Sequence, residues 1–323
     1  EMIACGHEVI ACAPDADSQI QRELHTLGVR FRYVPLSRTG LSPLQDLKTL
    51  KALREIFKTE KPDKVLSYTI KPVIYSHLAA KGFAGISAYG MITGLGYAFG
   101  EGSFKQKIVG KVVRNLYRLA LKQSAGVFFQ NPDDRDMFRN LGLVPGHVPA
   151  MLINGSGVDL DWYKPQSLPD KPVFLLVARL LAEKGVREYY QAACQIKNKY
   201  PQVRFMLAGA LDANPTSIGQ KELQRWQTEG IIEYLGRLSD IRPAFADASI
   251  YVLPSYYREG TPRTVLEAMA MGRPVITTDA PGCRETVVHG QNGFLVPVKD
   301  PKTLEETMER FIQEPELVEQ MSK

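Results

Sequence analysis

The chain has 323 residues, a length typical of two domains, and 44% apolar with 23% charged residues is the composition of an ordinary soluble, folded protein. No apolar run approaches the roughly 20 residues that a transmembrane helix needs. Residues 1–150 hold 20 Lys and Arg against 13 Asp and Glu, a net charge of +7, whereas residues 151–323 hold 20 against 22, a net charge of −2. Any anionic partner is therefore expected at the N-terminal half, and no nucleic-acid partner is expected.

The cysteines and the chain ends add two expectations. No CxxC pair and no zinc-type spacing is formed by Cys5, Cys12, Cys194 and Cys283. They are predicted to be free thiols in a reducing compartment. The opening EMIACGHEVIACAPD is typical of a helix tail that runs into a strand, so we expect an N-terminally truncated chain, and the final PELVEQMSK stops within a predicted helix.

Predicted strands and helices alternate along the first half. The strands are HEVIACAP, RFRYVPL, DKVLSYT, GISAYGMI and GVFFQN. One intervening helix, DLKTLKALREIFKTEKP, has an apolar face formed by Leu47, Leu50, Leu53, Ile56 and Phe57. A later helix in NPDDRDMFRNLG begins with the cap Asn131 and ends at Gly142. The alternation predicts a doubly wound α/β domain over residues 1–154.

The second half repeats this alternation after a turn-rich stretch. Residues 155–172 carry glycine, aspartate and proline with no period of their own, and we interpret them as an interdomain linker. The strands that follow are PVFLLVAR, VRFMLAG, IIEYLG, ASIYVLPS, RPVITT and NGFLVPV. A second doubly wound domain is predicted over residues 173–323, and two such domains commonly bind a ligand in the cleft between them.

Two cations follow the first strand of this second domain. In VFLLVARLLAEKG, Arg179 follows the strand and Lys184 precedes a helix. Ligands of parallel sheets bind at this edge, and two cations beside a helix N-terminus suit a diphosphate. Taken alone, the pattern is more often a solvated Arg and Lys that flank a helix start.

Two carboxylates bracket another predicted helix start. In REGTPRTVLEAM, Glu259 lies in the loop after ASIYVLPS, Pro262 begins a helix, and Glu267 lies about a turn and a half inside it. Carboxylates only accept hydrogen bonds, so a pair of them suits a ligand rich in hydroxyls. With Arg179 and Lys184 they match the sugar, diphosphate and ribose of a nucleotide diphospho-sugar. The alternative is one dipole-stabilising Glu and one surface Glu.

This stretch resembles the E-x7-E element of family 4 retaining glycosyltransferases, and ARLLAEKG resembles the Arg-x4-Lys-Gly donor-phosphate segment of that family. Further matches in the expected order are QNPDDRDMF, NGSGVDLDWYKP and GRPVITTDAPGCRETVVHGQNGFLVP. The resemblance covers nearly the whole chain. It implies an α/β, GT-B fold of two Rossmann-like doubly wound parallel-sheet domains that face each other across a cleft. The most similar members are bacterial enzymes that add a sugar to polyprenyl-diphosphate-linked saccharides.

The resemblance implies a role for the cations and for one carboxylate. Arg179 and Lys184 would bind the donor diphosphate and stabilise the developing charge of the leaving group. Glu267 would bind the ribose hydroxyls. Arg237, in the loop that begins at Gly236, would lie near the base.

The remaining donor residues follow from the same resemblance. Glu259 would contact the hydroxyls of the transferred sugar, and it is the catalytic candidate together with Arg179 and Lys184. The amides of Gly260 and Thr261 would also contact that sugar, whereas Pro262 has no amide hydrogen to offer. No metal and no other cofactor is implied. Retention would follow from front-face displacement, in which the leaving phosphate helps to deprotonate the acceptor.

The N-terminal half departs from the family pattern at one loop. Many members carry a histidine there, whereas MITGLGYAFGEG has Thr93 and Gly94 in its place. His77 is an alternative acceptor-side histidine, although a packed or surface histidine is the commoner case. Asp134 and Asp136 mimic the DxD of metal-dependent transferases but lie in the first turn of a capped helix, so no metal site is predicted.

A basic amphipathic helix is predicted over residues 104–123. It has an apolar stripe from Ile108 to Leu119 and no acidic residue. Its basic stripe consists of Lys107, Lys111, Arg114, Arg118 and Lys122. Such a helix suits an anionic lipid surface, and a helix that packs on the core with a solvated basic face is the alternative.

Together with these features, the resemblance implies a cytoplasmic retaining transferase, peripheral on the inner face of the cytoplasmic membrane. It would move a sugar, with an N-acetylhexosamine favoured, from a UDP-sugar to a polyprenyl-diphosphate-linked saccharide in surface polysaccharide or glycan biosynthesis. A sugar-nucleotide epimerase or hydrolase and a non-catalytic sugar-nucleotide binder are the alternatives. A dinucleotide-dependent oxidoreductase is disfavoured, because Gly94, Gly96 and Gly100 give only a GxGxxxG spacing.

Overall fold

The computed structural model describes residues 1–37, 42–95, 99, 104–212, 214 and 216–322, with the backbone alone at 104–106. The chain divides into two compact units, Glu1–Ile153 and Asn154–Lys323. Each unit is built of parallel strands with helices between them, which is the α/β class that the alternating pattern predicts.

In the described part of the N-terminal unit, the strands form two parallel groups. β1 (Ile10–Ala13) pairs with β2 (Arg30–Tyr33), and β3 (Lys64–Tyr68), β4 (Ser87–Ile92), β5 (Gly126–Phe129) and β6 (Ala150–Leu152) pair in that order. The helices are α1 (Ser18–Thr26), α2 (Pro43–Glu60), α3 (Ile70–Ala80), α4 (Phe104–Leu121) and α5 (Pro132–Asn140). Each strand predicted for this half is present, and the short β6 is an addition.

The predicted apolar face of α2 is right at its end and wrong at its start. Leu53 and Phe57 are buried, but Leu47 is exposed. The buried face of α2 begins with Asp46 and Thr49 and continues at helical spacing with Leu53 and Phe57. The hydroxyl of Thr49 donates to the carbonyl oxygen of Pro35, so a polar side chain takes the inward position.

The predicted cap of α5 is confirmed, and it accounts for the DxD-like pair. The side chain of Asn131 accepts a hydrogen bond from the amide of Asp134 at 2.8 Å. Asp134 is buried, whereas Asp136 is exposed and bonds Arg135 at 2.7 Å. The two carboxylates thus lie in different environments. Over the described ranges, no group of three or more His, Cys, Asp or Glu side chains has a geometry that could hold a metal ion.

The C-terminal unit contains a parallel sheet in the order β12-β11-β10-β7-β8-β9. Its strands are β7 (Val173–Val177), β8 (Arg204–Ala208), β9 (Glu233–Gly236), β10 (Ile250–Leu253), β11 (Val275–Thr278) and β12 (Gly293–Val296). Its helices are α6 (Val186–Lys199), α7 (Gln220–Thr228), α8 (Arg242–Ala246), α9 (Arg263–Ala270), α10 (Pro301–Gln313) and α11 (Glu316–Met321). The chain runs from β7 out to β9 and returns beside β7 at β10, which places the topological switch point between β7 and β10.

The central strands are apolar on both faces. Phe174 and Leu176 belong to one core cluster and Leu175 belongs to another, so β7 carries helices on either side. A continuous apolar run such as VFLLV is typical of a parallel strand that is covered on both faces.

The stretch predicted as a linker is packed into the C-terminal unit. The ring of Tyr163 is part of a core cluster of that unit. Arg273, which is almost fully buried, donates from its guanidinium to the carbonyl oxygens of Gln166, Ser167, Phe245 and Ala246 at 2.8–3.2 Å. The buried Arg273 side chain therefore binds residues 166–167 to the C-terminal unit.

Replacing Arg273 by methionine should lower the free energy of unfolding by about 3 kcal/mol, because the hydrogen bonds of the buried guanidinium to four carbonyl oxygens are lost. Urea unfolding followed by tryptophan fluorescence measures this, since Trp162 and Trp226, the two tryptophans of the chain, lie in the C-terminal unit. The matched control is Arg204→Met, which removes an exposed ion pair with Glu233 and should cost at most about 1 kcal/mol. Equal losses for the two variants would contradict a bracing role for Arg273.

Candidate functional site

The switch point brings candidate residues to one edge of the C-terminal sheet. Leu175 in β7 is paired with Tyr251 in β10, and both strands run in the same direction. Arg179 follows β7 and Glu259 follows β10, so the two loops leave neighbouring strands at the same edge. Arg237 follows β9 at this edge and is exposed. Open parallel sheets bind ligands at such a place.

A close approach of two loops holds Lys184 at this edge. The short 3₁₀ turn Ala182–Lys184 ends at Gly185, which has φ +74°, and a Cβ there would lie 2.0 Å from the carbonyl oxygen of Pro254. Only glycine fits both conditions. In the loop after β10, the amides of Tyr256 and Tyr257 donate to the carbonyl oxygen of Glu183 at 2.9 Å each.

Lys184 and Glu259 are in direct contact. The Lys184 ammonium bonds Oε1 of Glu259, and the hydroxyl of Ser255 donates to the same oxygen at 3.0 Å. Their side chains are only 14% and 11% exposed, so the ion pair is largely shielded from water. The Lys184 ammonium also lies 5.0 Å from the ring centroid of Tyr257. The sequence-predicted phosphate and sugar residues therefore form one partly buried charged cluster.

Arg179 extends into solvent beside this cluster. Its side chain is 55% exposed, and Nη1 lies 3.3 Å from Oδ2 of Asp212. An exposed ion pair contributes little to stability, so the guanidinium can exchange a carboxylate for another anion at small cost. Asp212 follows β8 and was not predicted, because nothing in its local sequence marks it as a partner of Arg179.

The start of α9 differs by one residue from the prediction. Pro262 is the residue before the helix, not its first residue, and its side chain is no hydrogen-bonding cap. Gly282 packs against the loop that precedes α9. A Cβ on Gly282 would lie 1.9 Å from the carbonyl oxygen of Gly260 in that loop. A Cβ added to Gly155 would likewise lie within 3.0 Å of the Thr261 side chain. Neighbouring loops thus hold residues 260–262 in place.

Glu267 is buried in α9, separately from the Lys184 and Glu259 pair. The hydroxyl of Tyr163 donates to its Oε1 at 3.0 Å, and Nε of Arg263 donates to the same oxygen at 2.9 Å. Sequence reasoning gave Tyr163 no role, because its stretch was interpreted as a linker. Ser255 and Tyr257 were also missed, although they lie in the loop that was singled out for Glu259.

In the N-terminal unit, His77 is part of the packed interior. Its Nδ1 lies 2.7 Å from the carbonyl oxygen of Val73, and Nε2 lies 2.9 Å from the hydroxyl of Ser124. Burial lowers the pKa of the imidazole. These contacts favour the packed interpretation over an acceptor-side role. Thr93 and Gly94 follow β4 at its carboxyl end, and most of the loop beyond them (96–98 and 100–103) lies outside the described residues.

Helix α4 exposes both of its stripes. The side chains turned to the core include Val113, Tyr117 and Leu121, whereas Ile108, Val112 and Leu119 are 50%, 39% and 56% exposed. The basic side chains at 107, 111, 118 and 122 are also exposed, and that at 114 is partly exposed. Arg118 donates to the carbonyl oxygen of Leu141 at 2.9 Å. None of the helices in the described part of the chain combines the length and apolarity needed to cross a membrane.

Comparison with known proteins identifies similar sequences over both units. One family model, described as Glycosyl transferase 4-like domain, matches residues 1–155, and another, described as Glycosyl transferases group 1, matches residues 171–314. The chain is 30% identical to the N,N′-diacetylbacillosaminyl-diphospho-undecaprenol alpha-1,3-N-acetylgalactosaminyltransferase of Campylobacter jejuni, over 96% of this chain and 83% of that protein.

Two further matches bear on the donor and on the fold. The UDP-Gal:alpha-D-GlcNAc-diphosphoundecaprenol alpha-1,3-galactosyltransferase of Escherichia coli is 28% identical over 84% of this chain and 72% of its own length. The structure of sucrose-phosphate synthase from Thermosynechococcus elongatus matches with a TM-score of 0.81 at 21% identity, over 100% of this chain and 84% of that one. At this identity the structural likeness concerns the fold alone.

Proposed function

Because the chain belongs to the group 1 glycosyltransferases, which have the GT-B fold, we propose that it is a retaining transferase that moves a sugar from a UDP-sugar to a polyprenyl-diphosphate-linked saccharide. The observation that carries the proposal is the contact between Lys184 and Glu259 at the switch point of the C-terminal sheet. In this shielded cluster, Lys184 would bind the leaving phosphate and Glu259 would accept hydrogen bonds from the sugar hydroxyls.

The donor is proposed to lie along the carboxyl edge of this sheet. Arg179 and Lys184 would bind the diphosphate, Glu267 the ribose and Arg237 the region of the base. Lys184 and Glu259 are preorganised by protein contacts, whereas Arg179 would exchange Asp212 for the diphosphate. The E. coli relative is named for a UDP-linked donor, which supports uracil as the base.

In the proposed reaction, an acceptor hydroxyl oxygen forms a bond to the anomeric carbon while the bond from that carbon to the diphosphate oxygen breaks. UDP leaves with the electron pair, and the acceptor proton passes to its phosphate on the same face. Lys184 and Arg179 would stabilise the negative charge on UDP, and Glu259 would hold the sugar hydroxyls. Both relatives are named as alpha-1,3-transferases, and retention from an α-linked sugar nucleotide gives an α-linked product.

The acceptor is proposed to bind the N-terminal unit as a polyprenyl-diphosphate-linked saccharide. The relatives from C. jejuni and E. coli are both named for an acceptor of the diphospho-undecaprenol class. The C. jejuni relative transfers an N-acetylgalactosamine by its name, which supports an N-acetylhexosamine as the transferred sugar. No metal is assigned a role in this proposal.

The test is an incubation with UDP-linked hexoses and N-acetylhexosamines, together with a synthetic polyprenyl-diphosphate saccharide, in the presence of a chelator. We expect a lipid-linked product that is longer by one sugar, with an α linkage by NMR. Free sugar without transfer would indicate a hydrolase, and an isomerised sugar nucleotide would indicate an epimerase. A sugar nucleotide that binds without turnover would indicate a non-catalytic binder.

Helix α4 is proposed to bring the N-terminal unit to the inner face of the cytoplasmic membrane. Exposed apolar side chains beside exposed cations suit the interface of an anionic bilayer. Replacing Lys107, Lys111 and Lys122 by glutamine should weaken binding to phosphatidylglycerol-rich vesicles about 100-fold at low salt, since each cation near the surface contributes about 1 kcal/mol. Flotation of protein with vesicles measures this.

The matched control removes three exposed cations from α2, as Lys48→Gln/Lys51→Gln/Lys58→Gln. This variant has the same net charge as the triple variant of α4, but it should bind vesicles like the wild type. Wild-type protein that stays unbound at low ionic strength, or equal losses for the two triple variants, would show that α4 has only a structural role.

A further inference from the structure

The carboxylate of Glu267 is held through one of its two oxygens. Tyr163 and Arg263 both donate to Oε1, at 3.0 and 2.9 Å. Among the residues that the structure describes, no donor bonds Oε2. Two donors from different elements on a single oxygen fix the plane of the carboxylate, and they leave the lone pairs of the other oxygen for an incoming donor.

Tyr163 itself is rigidly placed. The side chain of Asp159 accepts hydrogen bonds from the amides of Asp161 and Trp162 at 2.9 and 3.2 Å, and the amide of Tyr163 donates to the carbonyl oxygen of Asp159 at 2.8 Å. The Tyr163 ring is buried in the core cluster of the C-terminal unit. This turn therefore fixes the position of the Tyr163 hydroxyl beside Glu267.

The two donors differ in their surroundings. Burial, and then the hydrogen bond to Glu267, raise the pKa of the Tyr163 hydroxyl, which therefore stays protonated and continues to donate. The Arg263 side chain is largely exposed, whereas that of Glu267 is buried. Arg263 donates a charged hydrogen bond to Glu267 from the solvent side. Tyr163 donates from the core side and fixes the orientation of the carboxylate.

We propose that Tyr163 is a positioning residue for donor selection, which with Arg263 occupies Oε1 of Glu267 and turns Oε2 toward the 2′- and 3′-hydroxyls of the ribose. The inference rests on the proposed function, because it requires a ribonucleotide donor at Glu267. A fixed acceptor discriminates a diol from a dideoxyribose, since a carboxylate oxygen that the bound nucleotide covers without donating to it is costly.

The test compares UDP with 2′,3′-dideoxy-UDP by calorimetric titration of the whole chain. The wild type should prefer UDP by about tenfold or more, as expected for a hydrogen bond to a charged group. Tyr163→Phe keeps the ring and removes the hydroxyl, so it should lower the preference at least about threefold by weakening UDP alone. Glu267→Gln should lower the preference at least as far.

A matched control separates positioning from loss of stability. Tyr189→Phe removes another buried hydroxyl of the same unit, one that donates to the carbonyl oxygens of Phe174 and Met206. It should lower the melting temperature and leave the ratio of UDP to dideoxy-UDP affinity unchanged. Arg263→Gln supplies a second probe of the same oxygen and should reduce the ratio without disturbing the core.

The outcomes distinguish the inference from the proposed function. If the folded wild type binds neither nucleotide, the proposed donor site is wrong and the inference falls with it. If the wild type prefers UDP and Glu267→Gln removes that preference, but Tyr163→Phe keeps it in full, the donor site stands and the positioning role is overturned. A Tyr163→Phe variant that weakens both nucleotides equally would also overturn it.

Discussion

Replacing Glu259 by alanine is expected to reduce kcat about 10³-fold at saturating donor, because it removes the charged contact that we propose to the reacting sugar. The change also leaves Lys184, a largely buried cation, without its carboxylate partner. Initial rates of sugar transfer over a range of donor concentrations give kcat and KM separately. The loss should appear in kcat, because the proposed contact of Glu259 is with the sugar whose bond breaks.

Two comparisons sharpen this prediction. Glu267→Ala should mainly raise the donor KM, since its proposed contact is with the ribose, which does not react. Glu309→Ala removes a carboxylate of the same unit that is paired at 2.8 Å with Lys199, at the far end of α6 from Gly185, and should leave both constants near the wild-type values. A Glu259→Ala variant with wild-type kcat would exclude Glu259 from the reaction.

The double variant Arg179→Ala/Lys184→Ala is expected to weaken UDP binding by at least about 100-fold, because it removes the two charge-assisted contacts that we propose to the diphosphate. Uridine carries no phosphate, so its affinity should change less than about threefold. Calorimetric titration of both ligands into both proteins measures the difference. The phosphate contribution is isolated by the ratio of the two affinities.

The matched control for charge is Arg204→Ala/Lys199→Ala. These cations belong to the same unit and are paired with Glu233 at 2.6 Å and with Glu309 at 2.8 Å. Removing them changes net charge by the same amount, so a general electrostatic effect would weaken UDP equally in both double variants. Only a specific loss in Arg179→Ala/Lys184→Ala agrees with a diphosphate site at the switch point.

The sequence predicted well those parts of the fold that depend on local patterns. Buried parallel strands appear as short apolar runs, which explains why the strand that ends before Arg179 and the strand that ends before Glu259 were both found. The sheet order then brings these strand ends together, and the contact of Lys184 with Glu259 follows from it. The role of the loop glycine Gly185 became clear only from its approach to Pro254.

Contacts between distant segments escaped prediction. Asp212 and Tyr163 lie far along the chain from their partners, at separations of 33 and 104 residues, and no local pattern links them. Helix α2 shows a different limit, because Thr49 finds a carbonyl partner in a preceding loop and takes the inward position that periodicity assigned to leucine. For His77 the sequence favoured a packed or surface position, and its partners Val73 and Ser124 favour the packed one.

The most direct test of the donor site is calorimetric titration of UDP, GDP and NAD into the folded chain, first without a metal and then with Mg²⁺. Folding is verified beforehand by a cooperative unfolding transition. We predict that UDP binds without a metal and that GDP and NAD bind at least about tenfold more weakly. Tighter binding of GDP or NAD, or no binding of any of the three, would contradict a UDP-sugar site between Arg179 and Glu267.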